Sequence, residues 1–315
     1  MRIGLIGCGR LAEIGYVPAL AMERGTTLTA VADPDGGRRA HLADLVGESV
    51  STFADAAALI EGADVDALVL ASPASTHVAD AEWATAAGLP VLVEKPPAPD
   101  GAGAARLATL GPTVRVGFNR RFDPGVREVR AATPRAGALD LELEIRYRRA
   151  SWGAHLVRDE VILDLAPHLL DLARWVSGSE IREVTATELT PDRATLSLVL
   201  GRGRATIRAR ADSIHAEQVA VRDAAGTTVA RHRAGGSLAA IIGRLRPSPG
   251  VHPLVASLAA QLDSFATVVR GGQDPALGTT VDGVAVMAAV DAARTSAAAA
   301  GRPTLITDPM EPSPC

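Results

Sequence analysis

The first 120 residues alternate short apolar runs with longer stretches whose apolar positions recur at helical spacing. Four of these runs are rich in Val, Leu, Ile and Ala: Ile3–Ile6, Leu28–Ala32, Ala67–Ala71 and Pro90–Val93. A fifth, Val114–Phe118, follows a further helical stretch. Strands that alternate with helices predict an α/β fold with a doubly wound parallel sheet, which we place at residues 1–120.

The turn after the first predicted strand matches a dinucleotide-binding pattern. The run Gly7-Cys8-Gly9-Arg10-Leu11-Ala12 fits G-x-G-x-x-G/A. Gly7 allows the tight turn, Gly9 lets the backbone approach a pyrophosphate, and Ala12 lets the helix lie close to the strand. The free N–H groups of that helix start face the phosphates. The turn and the strand rhythm together indicate a sheet of the Rossmann type.

Asp33 ends the second predicted strand at the distance from the glycine turn where a carboxylate binds a ribose 2′-hydroxyl. Before Pro34, Asp33 is also a typical turn residue, but the glycine spacing favours the ribose role. A carboxylate repels a 2′-phosphate, so Asp33 favours NAD over NADP. Arg38 and Arg39 lie nearby in the sequence and leave NADP open.

Polar or special residues collect where the predicted strands end, and ligands bind at the carboxyl ends of parallel strands. These residues are Gly7, Asp33, Ser72, Glu94, Lys95 and Asn119. Lys95 is the only lysine among the 32 Lys and Arg residues of the chain. Arg keeps its charge under all working conditions, whereas the pKa of a Lys can be lowered for proton chemistry. From its position alone, a catalytic role and the chance retention of one lysine are equally plausible.

The stretch Val161–Trp175 predicts a helix in the second half of the chain. Asp164 and His168 are four residues apart and therefore share one face. Pro167 has no N–H to donate, so we expect a kink or a helix start near it. The pattern alone slightly favours Asp164 as a helix cap and His168 as an ordinary helix histidine over a catalytic pair.

The remaining segments predict consecutive hairpins, a loop and two closing helices. The loop is Gly235–Pro253 and the helices are Leu254–Arg270 and Val281–Ala300. Consecutive hairpins form an open, mainly antiparallel sheet. We therefore predict an α+β second domain over residues 121–315, with strands Glu183–Leu189, Ala194–Leu200, Ala205–Ala211 and Ala216–Arg222.

Composition excludes several classes of function. A chain of 315 residues that is 47% hydrophobic and 22% charged is globular and long enough for two domains. No apolar stretch reaches the ~18 to 20 residues of a membrane span, and we expect a cytoplasmic protein. A net charge of −4 without a basic tract predicts no nucleic-acid partner. Two cysteines and dispersed histidines predict no metal site.

The motifs, in their order along the chain, resemble the Gfo/Idh/MocA oxidoreductases. They are Gly7 to Ala12, Ala32-Asp33-Pro34-Asp35, Ser72-Pro73 with His77, Glu94-Lys95-Pro96, Val116 to Pro124, Asp164 to His168, and the stretch from Phe265 to Ala297. The resemblance implies an NAD(P)-dependent dehydrogenase or reductase of sugars or cyclitols. It also implies a Lys95–Pro96 peptide that is often cis. A partly polar sheet face in the second domain usually packs on another subunit in this family, so we expect a homodimer or homotetramer.

The resemblance assigns roles to individual residues. Lys95, Asp164 and His168 are the implied catalytic group. The predicted cofactor-binding residues are Gly7, Cys8, Gly9, Arg10, Leu11, Ala12, Asp33, Arg38, Ser72, Pro73, His77, Glu94 and Lys95, with NAD as the cofactor. The predicted substrate-binding residues are Lys95, Asn119, Arg121, Trp152, Arg158, Asp164 and His168.

Hydride transfer from a secondary alcohol requires loss of the hydroxyl proton and stabilisation of the developing alkoxide. His168 is the predicted general base in oxidation, because imidazole exchanges protons near neutral pH. Lys95 stabilises the negative charge as an ammonium. Asp164 orients substrate hydroxyls or the imidazole.

One departure from the family concerns the residues before Asp164, where members commonly have glycines and this chain has Arg158-Asp159-Glu160. If these side chains face the substrate, two carboxylates favour an amino sugar or aminocyclitol; a surface loop is the alternative. Two other functions also fit the fold. One is a catalytically silent sugar or cofactor sensor, and the other is a reductase of imines or tetrapyrroles.

Overall fold

The computed structural model describes residues 1–23, 25–47, 49–148, 159–235 and 251–306. Contacts divide the chain into two compact units. The first comprises Met1–Phe122 and Val251–Gly283, and the second Asp123–Gly250 and Val284–Cys315. Residues 251–283, which the predicted division at residue 120 assigns to the second domain, thus group with the first.

A parallel sheet forms the centre of the first unit, as the strand rhythm predicts. Its strands β1 to β6 lie in the order β6-β5-β4-β1-β2-β3 and all pair in parallel. Every residue of β4 and β5 is buried, because a parallel sheet is covered on both faces. The six strands are β1 Arg2–Ile6, β2 Thr27–Ala32, β3 Ser51–Phe53, β4 Ala67–Leu70, β5 Val91–Glu94 and β6 Val114–Gly117.

Helices connect these strands, and three of them begin at an aspartate. Asp35, Asp55 and Asp100 each accept backbone N–H groups of the first helical turn. The first crossover differs, because a π-helical turn over Ala12–Tyr16 precedes its α-helix. The helices are α1 Val17–Met22, α2 Gly36–Val46, α3 Ala56–Gly62, α4 Ala74–Ala86 and α5 Gly101–Ala108.

The second unit contains a mainly antiparallel sheet, which confirms the predicted α+β class. Its elements are α6 Pro124–Ala132, β7 Leu139–Arg148, α7 Val161–Asp164, α8 Ala166–Ser177, β8 Ile181–Leu189, β9 Arg193–Leu200, β10 Gly203–Arg210, β11 Asp212–Arg222 and β12 Thr228–Gly235. Among the described strands of this sheet, β7 and β10 pair in parallel and the other pairs are antiparallel. Side chains of β7 alternate between buried and more exposed positions, so one face of the sheet is covered.

Four further elements follow the segment 236–250: α9 Pro253–Val269, β13 Gly278–Thr279, α10 Thr280–Ala298 and β14 Thr304–Leu305. Strand β13 pairs with β6 in the first unit, and β14 pairs with β8 in the second. Within the residues that the structure describes, no helix combines the length and apolar character that a membrane crossing requires.

The predicted helix over Val161–Trp175 is interrupted at Leu165, so α7 and α8 are separate. Pro167 lies in the first turn of α8, where its missing N–H costs no helical hydrogen bond. Every residue of α8 is buried. Gly178, with φ of 63°, ends the helix in the left-handed conformation.

Ser296 on α10 joins three segments of the second unit. Its hydroxyl accepts the Ala186 N–H at 2.9 Å and donates to the Arg302 carbonyl at 2.6 Å. The side chain is fully buried. We expect Ser296→Ala to lower the free energy of unfolding by about 1–3 kcal/mol, because two backbone groups lose their partner. Urea denaturation measures this, with exposed Thr295→Ala as the control. Equal stabilities of the two variants would contradict it.

Candidate functional site

The dinucleotide turn follows β1 and has the backbone shape that the sequence predicts. Gly7 has φ of +101°, and a Cβ at this position would lie 2.6 Å from the Ala71 carbonyl and from the Ser72 nitrogen. Only glycine allows this close approach. Gly9 differs, because a Cβ there would meet nothing within 4 Å. The structure therefore leaves open space beside Gly9, the position at which the sequence predicts that the backbone approaches a pyrophosphate.

Asp33 is buried at the end of β2 and is bonded to the turn. One carboxylate oxygen accepts the Cys8 N–H at 2.8 Å, and the other accepts the Asp35 N–H at 2.9 Å. A carboxylate has about four acceptor sites, so Asp33 retains capacity for ribose hydroxyls. Burial, with the charge of Asp33, raises the pKa of the Cys8 thiol to about 12, which keeps it protonated.

Three arginines lie around this turn. Arg39 donates to the main-chain carbonyl of Asp33. Arg38 lies 3.8 Å from the Asp35 carboxylate, and Arg10 lies 3.0 Å from Glu13. The predicted cofactor end of β2 thus combines one buried carboxylate with two nearby guanidiniums on α2, Arg38 and Arg39.

His77 connects two loops at the same edge of the sheet. Its ring nitrogens lie 2.9 Å from the Ser72 carbonyl and 3.2 Å from the Pro96 carbonyl. Burial lowers the pKa of His77 to about 4, so the ring is neutral and donates one N–H. Both ring nitrogens of His77 therefore face backbone carbonyl groups. Its predicted contact with the cofactor stays a prediction, as do those of Ser72 and Pro73.

Lys95 directly follows β5, and the Lys95–Pro96 peptide is cis, as the resemblance implies. The Lys95 N–H donates to the Glu94 carboxylate at 3.0 Å, and the Tyr16 hydroxyl donates to the same carboxylate at 2.5 Å. The side chain of Lys95 is half-buried. Gly7, Asp33, Ser72 and Lys95 thus stand at the carboxyl ends of four strands of one parallel sheet.

Two predicted substrate residues have partners inside the first unit. The Asn119 amide donates to the Ser257 hydroxyl at 3.1 Å. The Arg121 guanidinium, which is buried, lies 3.2 Å from the Asp282 carboxylate and over the Phe118 ring. These contacts attach the segment after β6 to residues 251–283. A substrate role for either side chain stays a prediction.

Asp164 and His168 lie in the second unit, on either side of the break between α7 and α8. Asp164 is the last residue of α7, and its carboxylate accepts the hydroxyl of Tyr147 on β7. His168 is in the first turn of α8 and is 7% exposed. The other predicted substrate residues of this half, Trp152 and Arg158, lie outside the described residues.

Both tyrosines of the chain donate to a carboxylate of the predicted site, and sequence reasoning missed both. Tyr16 bonds to Glu94, and Tyr147 bonds to Asp164. The sequence held one signal for these residues, which is the rarity of tyrosine: the chain has two in 315 residues. Neither hydroxyl can be matched to its carboxylate without the fold, because the partners are 78 and 17 residues apart.

Comparisons with known proteins agree with the motifs. Residues 1–114 match the model of the Gfo/Idh/MocA oxidoreductase family with an NAD-binding Rossmann fold. The rhizopine catabolism protein MocA of Rhizobium meliloti is 30% identical over 93% of both chains. The chain therefore belongs to the Gfo/Idh/MocA oxidoreductase family.

Inositol dehydrogenases are among the relatives. Inositol 2-dehydrogenase 2 of Saccharopolyspora erythraea is 37% identical over 62% of this chain and 59% of its own. The match thus spans less than two thirds of that relative's length. The structure of a myo-inositol dehydrogenase from Lactobacillus casei with NAD(H) and myo-inositol superposes with a TM-score of 0.79 over 99% of this chain and 98% of that chain. At 18% identity, this similarity establishes the shared fold.

The buried His77 predicts a pH dependence of stability. Its pKa falls from an ordinary 6.5 to about 4 in the folded protein. Between these pH values only the unfolded chain binds the proton, so stability decreases as pH falls through this window. We expect a loss on the order of 3 kcal/mol from pH 6.5 to 4.

Urea denaturation of wild type and His77→Gln across this range measures the effect, and the variant should show a weaker dependence. His41→Gln is the control, since His41 is 60% exposed. The same pH dependence in all three proteins would contradict the assignment to His77.

Proposed function

We propose that this protein is an NAD-dependent dehydrogenase that oxidises a secondary hydroxyl of a cyclitol or sugar, or reduces the corresponding ketone. One observation carries the proposal. The glycine turn, Asp33 and Lys95 share the carboxyl edge of one parallel sheet, which is where open α/β sheets bind their ligands. Family membership and the inositol dehydrogenase relatives support the reaction class.

The residues around the turn fit NAD. Gly9 leaves room for a pyrophosphate, and Asp33 has acceptor capacity for ribose hydroxyls. When bound, NAD⁺ supplies the acceptor for a hydride. The proposed cofactor is NAD because the Asp33 carboxylate repels a 2′-phosphate, and Arg38 and Arg39 determine how strict this preference is.

The proposed catalytic residues are Lys95, Asp164 and His168, in the roles that the family resemblance implies. His168 takes the hydroxyl proton in oxidation and returns it in reduction. The Lys95 ammonium stabilises the negative charge on that oxygen. Asp164, which accepts the Tyr147 hydroxyl, orients the substrate or the imidazole.

A cyclitol is the proposed substrate class, because the Saccharopolyspora erythraea relative named above is an inositol 2-dehydrogenase. Asp159 and Glu160 are exposed and replace the glycines that are common in the family. If these two carboxylates face the substrate, they favour an aminocyclitol over its hydroxyl analogue. Comparing aminocyclitols with myo-inositol and scyllo-inositol at one pH tests this preference.

Loss of Lys95 or His168 tests the catalytic roles. We expect Lys95→Met and His168→Ala to lower kcat by ~10²-fold or more, because charge stabilisation and proton transfer act in the transition state. The dissociation constant for NAD should stay nearly unchanged. Reduced nicotinamide absorbance with a panel of inositols and sugars gives kcat, and calorimetry gives NAD affinity.

Arg106→Met is the matched control, because it removes an exposed cation of the same unit that pairs with Glu82. It should leave turnover unchanged. Near-normal kcat in Lys95→Met or His168→Ala would contradict the catalytic roles. NAD binding without turnover of any substrate in the wild type would contradict the enzymatic proposal in favour of a sensor.

Asp33 sets the expected choice between the two nicotinamide cofactors. We expect Asp33→Ser to raise KM for NAD at least tenfold and to allow NADP turnover, since it removes one carboxylate hydrogen-bond acceptor and its repulsion. Asp35→Ser is the matched control, because a serine preserves the cap of α2. An unchanged ratio of NAD to NADP efficiency in Asp33→Ser would contradict the assignment.

A further inference from the structure

Tyr16, Glu94 and Gln261 form a buried polar group in the first unit, which we call the Glu94 cluster. Tyr16 ends the π-helical turn that follows the dinucleotide turn, Glu94 ends β5, and Gln261 lies on α9. Tyr16 and Gln261 are fully buried, and Glu94 is 5% exposed. A buried carboxylate is costly unless it is hydrogen-bonded, so the donors that reach Glu94 determine where it lies.

Two donors bond to the carboxylate, one from the end of the π-helical turn and one from the main chain directly after β5. The Tyr16 hydroxyl donates to Oε1 at 2.5 Å, and the main-chain N–H of Lys95 donates to Oε2 at 3.0 Å. Gly117, the register partner of Glu94 on β6, leaves room for the group, since a Cβ there would lie 3.2 Å from Oε1. One carboxylate therefore bridges the π-helical turn and the backbone of Lys95.

The phenol is suited to be a permanent donor. Burial, with the charge of Glu94, raises the pKa of Tyr16 well above its ordinary value, while the nearby Gln261 amide acts in the opposite direction. The hydroxyl therefore keeps its proton throughout the physiological pH range. None of the described groups meets hydrogen-bond geometry with the Gln261 amide, so the bond to Glu94 is the well-formed contact of the phenol.

We propose that Tyr16 is a positioning residue for Lys95. The Tyr16 hydroxyl holds the Glu94 carboxylate, and that carboxylate holds the Lys95 N–H. Lys95 is thereby linked to the dinucleotide turn, which ends at Ala12, four residues before Tyr16. The proposal rests on the catalytic role proposed above for Lys95. Displacement of a catalytic group by about 1 Å lowers turnover by up to ~10²-fold, so this bridge affects kcat more than cofactor affinity.

The same bridge affects the pH profile. Among the described residues, Tyr16 and Lys95 are the titratable groups that act on Glu94, and its register partner Gly117 carries no charge. Burial raises the pKa of Glu94, and the charge of Lys95 and the Tyr16 hydrogen bond oppose that rise. Without the hydroxyl the pKa of Glu94 is higher still, so the group that accepts the Lys95 N–H becomes protonated at a higher pH.

Kinetics of Tyr16→Phe, Glu94→Gln and the double variant test the proposal. We expect Tyr16→Phe to lower kcat about tenfold, to leave KM for NAD within about twofold, and to move the acidic limb of the pH profile to higher pH. The double variant should be no slower than Glu94→Gln, because both changes remove one interaction. Additive effects, or an unchanged kcat and pH profile in Tyr16→Phe, would overturn it.

Thr133→Val is the matched control, since it removes another buried hydroxyl bond, from Thr133 Oγ1 to the Val129 carbonyl at 2.7 Å. This control should lower stability without changing kcat or the pH profile. If Tyr16→Phe behaved in the same way, the phenol would be a stabilising residue and the positioning role would be wrong.

A second readout needs no turnover. Because Lys95 is the only lysine, reductive methylation with ¹³C-formaldehyde labels only its side chain and the N-terminal amine. We expect Tyr16→Phe to shift the NMR signal of labelled Lys95 and to leave the Met1 signal in place, whereas Thr133→Val shifts neither. An unshifted Lys95 signal contradicts the positioning role. If the wild type turns over no substrate but the Lys95 signal still shifts in Tyr16→Phe, only the proposed function is contradicted.

Discussion

The first unit depends on one constraint, which is that parallel strands present their carboxyl ends at the same edge of a sheet. Gly7, Asp33, Ser72 and Lys95 are far apart in the sequence but follow β1, β2, β4 and β5. Pairing of these strands therefore brings a glycine turn, a carboxylate and an ammonium to one edge. Hydrogen bonds between loops refine this arrangement, as when Asp33 accepts the Cys8 N–H and His77 faces two carbonyls.

Three carboxylates of the predicted site, those of Asp33, Glu94 and Asp164, share one kind of contact. Each is partly or fully withdrawn from water and accepts a hydrogen bond from a neutral hydroxyl or from a backbone N–H. A neutral donor satisfies the carboxylate without cancelling its charge, so the charge remains effective nearby. Elsewhere guanidiniums pair with carboxylates, at the surface as Arg204 does with Asp140, or from a buried position as Arg121 does with Asp282.

Local patterns predicted the strands and the cofactor turn well, because each signal lies within a few residues. The break near Pro167 was also expected, since proline restricts the backbone on both sides of itself. Other features depended on distant parts of the chain. Short β3 has no distinct apolar pattern, and residues 251–283 join the first unit through pairs such as Gly278 with Val116. The bond from Tyr16 to Glu94 combines a π-helical turn and a strand end, neither of which sequence periodicity reveals.

These contacts also explain why position 95 suits a lysine in an arginine-rich chain. The guanidinium of Arg174 uses two of its N–H groups on Glu180, at 2.6 and 2.7 Å, which is how this side chain usually meets a carboxylate. An arginine beside Glu94 could engage that carboxylate in the same way and compete with Tyr16 for it. Lysine contributes a compact charge on a flexible stem, and its backbone N–H bonds to Glu94. The carboxylate therefore holds the main chain at Lys95 through a backbone N–H, a bond that does not depend on which side chain stands at position 95.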